Sequence, residues 1–310
     1  MTNTKKKKKK NNLYYYADII IILLLIAVLF MIVYKNGKSN NKDTNEKENN
    51  KKQEVIIDDV NDMNDNEETD FISNIKKLNF YKEEYKDRYI KYKEENSNID
   101  DEMVVVYVNI GLDKKFYEDI SDSPNKDTNT VLANKLYFLG EDYVPKNLEK
   151  ISSAYSSGEK YMEKNAKEAF EKLAKDAKKE GYNIRATSTY RSYSYQKNLY
   201  NNYANQDGKE KADTYSARPG FSEHQTGLAV DVDNTKTSYT KFGNTKEFDW
   251  MKENAYKYGF ILRYTKENEF ITGYMNEPWH YRYVGVEIAS YIQEHPMTFE
   301  EYYVRFLDNN

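Results

Sequence analysis

Residues 221–234 read "FSEHQTGLAVDVDN". Leu228, Val230 and Val232 alternate with Ala229, Asp231 and Asp233, the two-residue period of a half-buried strand, so Asp231 points away from the apolar face. His224 precedes Gly227, which suits the turn that feeds this strand, and the chain can bring the imidazole and the Asp231 carboxylate toward one point. The seven-residue spacing differs from a helical HExxH site, where two histidines share one face. Taken alone, a structural histidine with a hydrogen-bonded partner is a better reading of the pattern than a metal ligand.

A second segment shifts that balance. Residues 276–285, "NEPWHYRYVG", hold Glu277, Trp279 and His280, so two of only three histidines lie in short stretches that also carry acids. With no cysteine anywhere in the chain, disulfides, thiolate nucleophiles and Cys-ligated metals are excluded, and any metal must be held by His, Asp or Glu. His224, Asp231 and His280 make the set expected for a catalytic zinc whose fourth position is open to water. Glu277 is then left over as the candidate base, and Pro278 biases it toward an extended or turn backbone. Hydrolysis of an amide also needs donors for the developing oxyanion; "STYRSYSYQ", residues 188–196, supplies Arg191 and Gln196 after an expected strand end.

Working outward, the N-terminus carries six lysines at 5–10 and then an apolar run. Residues 13–34 are long enough, at about 33 Å as a helix, to cross a bilayer core. The lysines place the basic tail, 1–12, in the cytoplasm and the rest outside the membrane, with Tyr14, Tyr15 and Tyr16 at the interface. A cleaved signal peptide is the other reading, but no small-x-small cleavage site follows the run. Residues 35–74 are charged and Asn-rich, too poor in apolar surface to offset their ordering entropy, and read as a flexible linker. A net charge of −4 leaves no basic footprint for nucleic acid.

Order is expected from Ile75, with residues 75–150 forming a helical and extended region before a domain at 151–310. Leu78, Tyr81, Tyr85, Tyr89 and Tyr92 fall on one helical face, and the Val104–Val108 run reads as a short strand or buried segment. A helix is expected from about Tyr161 to Glu180, with Met162, Ala166, Phe170, Leu173 and Ala177 on its buried stripe. Strands follow around "NIRATSTYR", "FILRY" and "EPWHYRYVG", an amphipathic helix ends at Gly259, and Thr298 with Glu301 forms a capping box. Helices mixed with hairpin-like strands give an α+β class.

In this order, "STYRSYSYQ", "SARPGFSEHQTGLAVDVD" and "EPWHYRYVG" resemble the motifs of the VanY-type D-alanyl-D-alanine carboxypeptidases, zinc peptidases that trim peptidoglycan stem peptides. The resemblance covers roughly residues 150–295, and "VNIGLDKKFY" and "LYFLGEDYVPKNL" are similar to the segment preceding the catalytic domain in membrane-anchored members. It implies a central antiparallel sheet with flanking helices, the D-Ala-D-Ala peptidase or hedgehog-like fold. It also implies one Zn2+ on His224, Asp231 and His280, Glu277 as catalytic base, Arg191 as the substrate-binding arginine, and Gln196, Ser222 and Tyr264 as further contacts to a stem peptide ending in D-alanine. D,D- and L,D-carboxypeptidases share these motifs. An endopeptidase of the same fold, a wall-binding module without activity and a non-haem iron oxygenase are the rival readings; Glu277 and the expected placement outside the membrane weigh against the last.

Overall fold

The computed structural model describes residues 66–308. The expected tail (1–12), anchor (13–34) and most of the expected linker (35–74) lie outside the described residues. Among the described residues, no helix is long and apolar enough to cross a membrane. The end of the expected linker is ordered: residues 66–75 are helical (α1), because Phe71 and Ile75 bury against the next two helices.

Those helices are α2 (Lys86–Glu95) and α3 (Asp101–Ile110). The expected tyrosine face is divided by turns and a 3-10 segment at Glu83–Tyr85, yet Leu78, Tyr81 and Tyr85 still pack on the cluster holding Tyr89 and Tyr92. The valine run is helix and not strand. The Asp100 side chain caps α3 by accepting from Glu102 N at 3.0 Å, and Gly111 ends it in the left-handed region. Apolar partners surround the run, among them Tyr89 and Tyr92 on one side and Ile271 and Val304 on another, so burial outweighs the β preference of valine.

Two small pairings follow, β1 (Ser121–Asp122) with β2 (Tyr137–Phe138) in parallel, and β3 (Leu148–Lys150) with β4 (Tyr161–Glu163) antiparallel. The helix expected from Tyr161 therefore starts later, as α4 (Lys164–Lys179), because Tyr161–Glu163 satisfies its backbone against β3 and Glu163 then caps the helix through Asn165 N and Ala166 N. Ala166, Phe170, Leu173 and Ala177 line its buried stripe.

The central sheet has the order β5-β6-β8-β7, formed by β5 (Arg185–Ser188), β6 (Ala229–Asp233), β7 (Phe260–Leu262) and β8 (His280–Tyr283), all antiparallel. Helices α5 (Tyr193–Asp207) and α6 (Lys209–Asp213) lie between β5 and β6 in the chain, α7 (Lys246–Asn254) precedes β7, and α8 (Glu269–Thr272) precedes β8. Val230 and Val232 join Phe170, Leu173 and Tyr281 in the main core. β6 is thus buried on both sides, one face in the core and the other, through Asp231, in the site. The chain closes with α9 (Val286–Glu294) and α10 (Phe299–Phe306), whose capping box is formed by Thr298 and Glu301.

Candidate active site

Strand register builds the site. On the paired strands β6 and β8, Asp231 lies directly opposite His280, and directly opposed residues project from the same face of an antiparallel pair. Glu277 reaches this point through a four-residue turn with Pro278 at its second position, closed by His280 N–H donating to the Glu277 carbonyl at 3.0 Å. His224 arrives from the other side, in a 3-10 turn (Glu223–Thr226) that ends at Gly227 with φ of +72°. A side chain on Gly227 would be strained at this φ and would also meet Leu148 Cδ2 at 2.9 Å and Glu163 N at 3.0 Å.

His224, Asp231 and His280 each offer one ligand atom, all within 4.8 Å of one another, and all three residues are buried. The outward nitrogen of His224 fixes its tautomer. His224 Nδ1 donates to the Thr189 carbonyl at 2.7 Å, which leaves Nε2 facing Asp231 Oδ2 at 3.3 Å. His280 has a carboxylate at each ring nitrogen, Glu223 Oε2 3.2 Å from Nε2 and Asp231 Oδ1 3.0 Å from Nδ1, so a cation held at Nδ1 would leave the proton on Nε2, donated to Glu223. Two imidazoles, each held by its far nitrogen and turned toward one carboxylate, form a donor set that suits a tetrahedral divalent cation with one position open.

The charges point the same way. Burial opposes a proton on His280, but Asp231 and Glu223 outweigh it and push the imidazole up to about 9, so this position favours positive charge that a cation can supply. Burial, reinforced by Arg191, pulls His224 down to about 4 and keeps it neutral. Burial alone would raise Asp231, but His224, His280 and Arg191 hold it well below the usual carboxylate range. Glu277, 3.7 Å from His280 Nδ1, is pushed up to about 8, chiefly by burial and then by the Asp231 charge, with His280 and Arg191 opposing. A carboxyl poised near neutral pH can both take and return a proton.

These groups line one end of a cleft of about 890 Å³ whose walls include Tyr161, Tyr195, Tyr203, Tyr215 and Tyr239. Arg191 opens onto the cleft with Nη2 donating to Asp231 Oδ2 at 2.8 Å and Nε to Ser188 Oγ at 2.9 Å. Gln196 stands behind it: its Oε1 accepts from Arg191 Nη1 at 3.3 Å and its Nε2 donates to the Ala217 carbonyl at 2.8 Å, so it orients the arginine and is not among the cleft-lining residues. Ser222 caps the turn, its Oγ accepting from His224 N at 3.3 Å. The Tyr264 ring packs against the His280 ring at a tilt of 42°, with centroids 4.8 Å apart. Trp279 packs edge-on against Tyr239, and His295 is exposed at the end of α9.

Sequence reasoning missed Glu223, which is fully enclosed and bonded to His280, Arg263 and Arg282. The missed signal was the pair of arginines inside otherwise apolar or aromatic strand segments, "FILRY" and "HYRYV", since a guanidinium there needs a buried acid.

The family described as VanY, D-alanyl-D-alanine carboxypeptidase, matches residues 159–286, a span that contains Arg191, Glu223, His224, Asp231, Glu277 and His280. YodJ of Bacillus subtilis (strain 168) is 40% identical over 205 residues, covering 62% of this chain and 75% of that protein. The bifunctional D-Ala-D-Ala dipeptidase and D-Ala-D-Ala carboxypeptidase VanXYC of Enterococcus gallinarum is 32% identical over 177 residues, covering 56% of this chain and 92% of its own. The solved structure of the LdcB LD-carboxypeptidase superposes with a TM-score of 0.57 at 41% identity, over 62% of this chain and 92% of that one. With its sheet register, convergent His-Asp-His donors and relatives of this kind, the chain belongs to the VanY family of D-alanyl-D-alanine carboxypeptidases and is a carboxypeptidase.

Proposed function

We propose that the protein is a zinc carboxypeptidase that removes the C-terminal D-alanine from peptidoglycan stem peptides or their precursors. The observation that carries this reading is the convergence of His224 Nε2, Asp231 and His280 Nδ1 beside the buried carboxyl of Glu277. Those three residues would hold one zinc ion, which when bound supplies Lewis acidity toward water and the scissile carbonyl. Glu277 takes the proton of the attacking water and hands it to the leaving amine, a cycle that its raised pKa favours. Arg191, held by Ser188 and Gln196, supplies fixed positive charge for the substrate's terminal carboxylate or polarised carbonyl. Tyr264 lines the cleft beside His280, against which its ring is tilted, and Ser222 holds the turn that carries His224.

The N-terminal residues extend the proposal: 13–34 anchors the chain in the cell membrane, 1–12 stays in the cytoplasm, and the catalytic region lies outside, where stem peptides are. A cysteine-labelling experiment on intact cells, with single cysteines introduced at residue 4 and residue 150, tests this topology. Labelling of the first site and protection of the second reverses it.

Incubation of the full-length, zinc-loaded chain with defined muropeptides, read by mass spectrometry, tests the activity. Release of one alanine from a peptide ending in D-alanine is expected. The pentapeptide and tetrapeptide arms separate D,D- from L,D-cleavage, in keeping with relatives named for each. An internal cut would identify an endopeptidase, and no release from either peptide would overturn the reading.

A further inference from the structure

Glu223 sits behind the metal ligands, its side chain 0 % exposed. Its two oxygens have separate tasks. Oε1 accepts from Arg263 Nε at 2.8 Å and Arg282 Nη1 at 2.9 Å, while Oε2 accepts from His280 Nε2 at 3.2 Å. Arg263 is held in turn by Glu300 of α10, through Nη1 to Oε2 at 2.9 Å and Nη2 to Oε1 at 2.5 Å. Arg282 Nη2 donates to the carbonyls of Asn129 at 3.1 Å and Val131 at 2.7 Å. Two guanidinium groups and two carboxylates balance, so the cluster does not need His280 for charge. The bond from Oε2 to the imidazole therefore does something that the network's own stability does not demand.

We propose that Glu223 is a positioning residue for the bound metal ion, its rigidly held carboxylate pinning the Nε2–H of His280 so that the Nδ1 lone pair faces Asp231 and His224. This inference rests on the reading of His224, Asp231 and His280 as a metal site. The two histidines are treated unequally: His224 is oriented by a neutral carbonyl, that of Thr189, and His280 by an anion. A carboxylate behind an imidazole raises its basicity as a ligand, and loss of such a partner costs about 10–100-fold in metal affinity. The frame around Glu223 fixes the imidazole plane through groups contributed by β7, β8, α10 and the segment at 129–131. Arg263 lies one residue beyond β7 and its N–H also bonds the His280 carbonyl, at 3.2 Å.

Zinc affinity of the full-length chain, measured by competition with a chromophoric chelator, tests this without reference to turnover. Glu223→Gln keeps the shape but removes the charge, and zinc binding weakens by about 10–100-fold. Glu300→Gln disturbs the same network one bond farther out, with the Glu223 carboxylate still on His280; it lowers the melting temperature and weakens zinc binding by less than Glu223→Gln does. Equal zinc affinity in the wild type and a folded Glu223→Gln variant would overturn the proposal while leaving the metal site standing. A wild-type chain that binds no zinc would overturn both. Where Glu223→Gln does not fold, ring-nitrogen NMR of the zinc-loaded wild type decides: a proton on His280 Nε2 with Nδ1 shifted by zinc supports the proposal, and the reverse assignment sinks it.

Discussion

Two charged clusters meet at His280 and are built on opposite principles. The closed cluster, Glu223, Arg263, Arg282 and Glu300, is sealed from solvent, and its guanidinium groups and carboxylates satisfy one another. The open cluster, His224, Asp231, Glu277 and Arg191, faces the cleft with its charges poorly balanced: Asp231 is shared by three partners, and Glu277 is driven up to about 8. A buried ion-pair network of the first kind supplies rigid geometry at little net stabilisation. The second kind holds its groups in environments that shift their protonation, as reacting groups require. The difference teaches that the fold spends its internal salt bridges on fixing one imidazole, and leaves the carboxyl beside it free to exchange a proton.

The comparison can be tested from its largest expected effect downward. Glu277→Gln, in the open cluster, should lower turnover on D-alanine-terminated peptides by about 10²–10⁴-fold while zinc content and melting temperature stay near those of the wild type. Near-normal turnover would remove Glu277 from the chemistry. Arg263→Ala, in the closed cluster, leaves Glu223 and Glu300 buried beside fewer cations and should cost about 3–5 kcal/mol in urea unfolding. A variant as stable as the wild type would show that Glu223 and Glu300 do not depend on Arg263 for charge compensation. Gly227→Ala acts on the turn that carries both Glu223 and His224, so about 1–3 kcal/mol of stability and some zinc affinity should fall together. Loss of one without the other would mean that the turn serves only one cluster.

The smallest effect concerns a third kind of buried cation. Lys135 Nζ donates to the carbonyls of Asp213 at 2.7 Å and Gly273 at 2.5 Å, among the rings of Phe116, Tyr117 and Tyr274. Burial pulls its pKa down to about 8, against the usual 10.5; the Asp213 carboxylate opposes this only in part and Arg218 adds to it, whereas Glu223 and Glu300 outweigh the burial of Arg263. Between those two values the unfolded chain keeps the proton that the folded chain has released. Stability from this group therefore rises with pH across that window. Unfolding of the wild type and of Lys135→Met, compared at pH 7 to 10, should show the wild type gaining on the variant above pH 8. A constant difference would contradict the burial of a charged amine.

How much was legible in the sequence depended on the range of the forces involved. The alternation at Leu228–Asp233 identified β6, the Thr298 and Glu301 pair identified the start of α10, and Gly259 marked a helix end, since each is written within a few residues. Propensity misled at Val104–Val108, where neighbours on every side made a helix of a β-branched run, and at Tyr161–Glu163, where pairing with β3 delayed the helix. Nothing local marks Glu223, because its partners Arg263 and Arg282 are 40 and 59 residues away. Only the packing of α5 shows that the Gln196 amide bonds Arg191 and the Ala217 carbonyl.

By itself the sequence determined the kinds of donor available: two histidines beside acids, no cysteine, a glycine before an alternating strand, and an arginine after another. These follow from residue chemistry and local backbone preference, which need no tertiary contact. Only the tertiary structure decided that Asp231 faces His280 across two strands, which nitrogen of each histidine turns inward, and which buried acid holds the second imidazole in place. Register and hydrogen-bond partners are set by burial of the sheet between its helices, a free energy summed over the whole core that no short window of sequence contains.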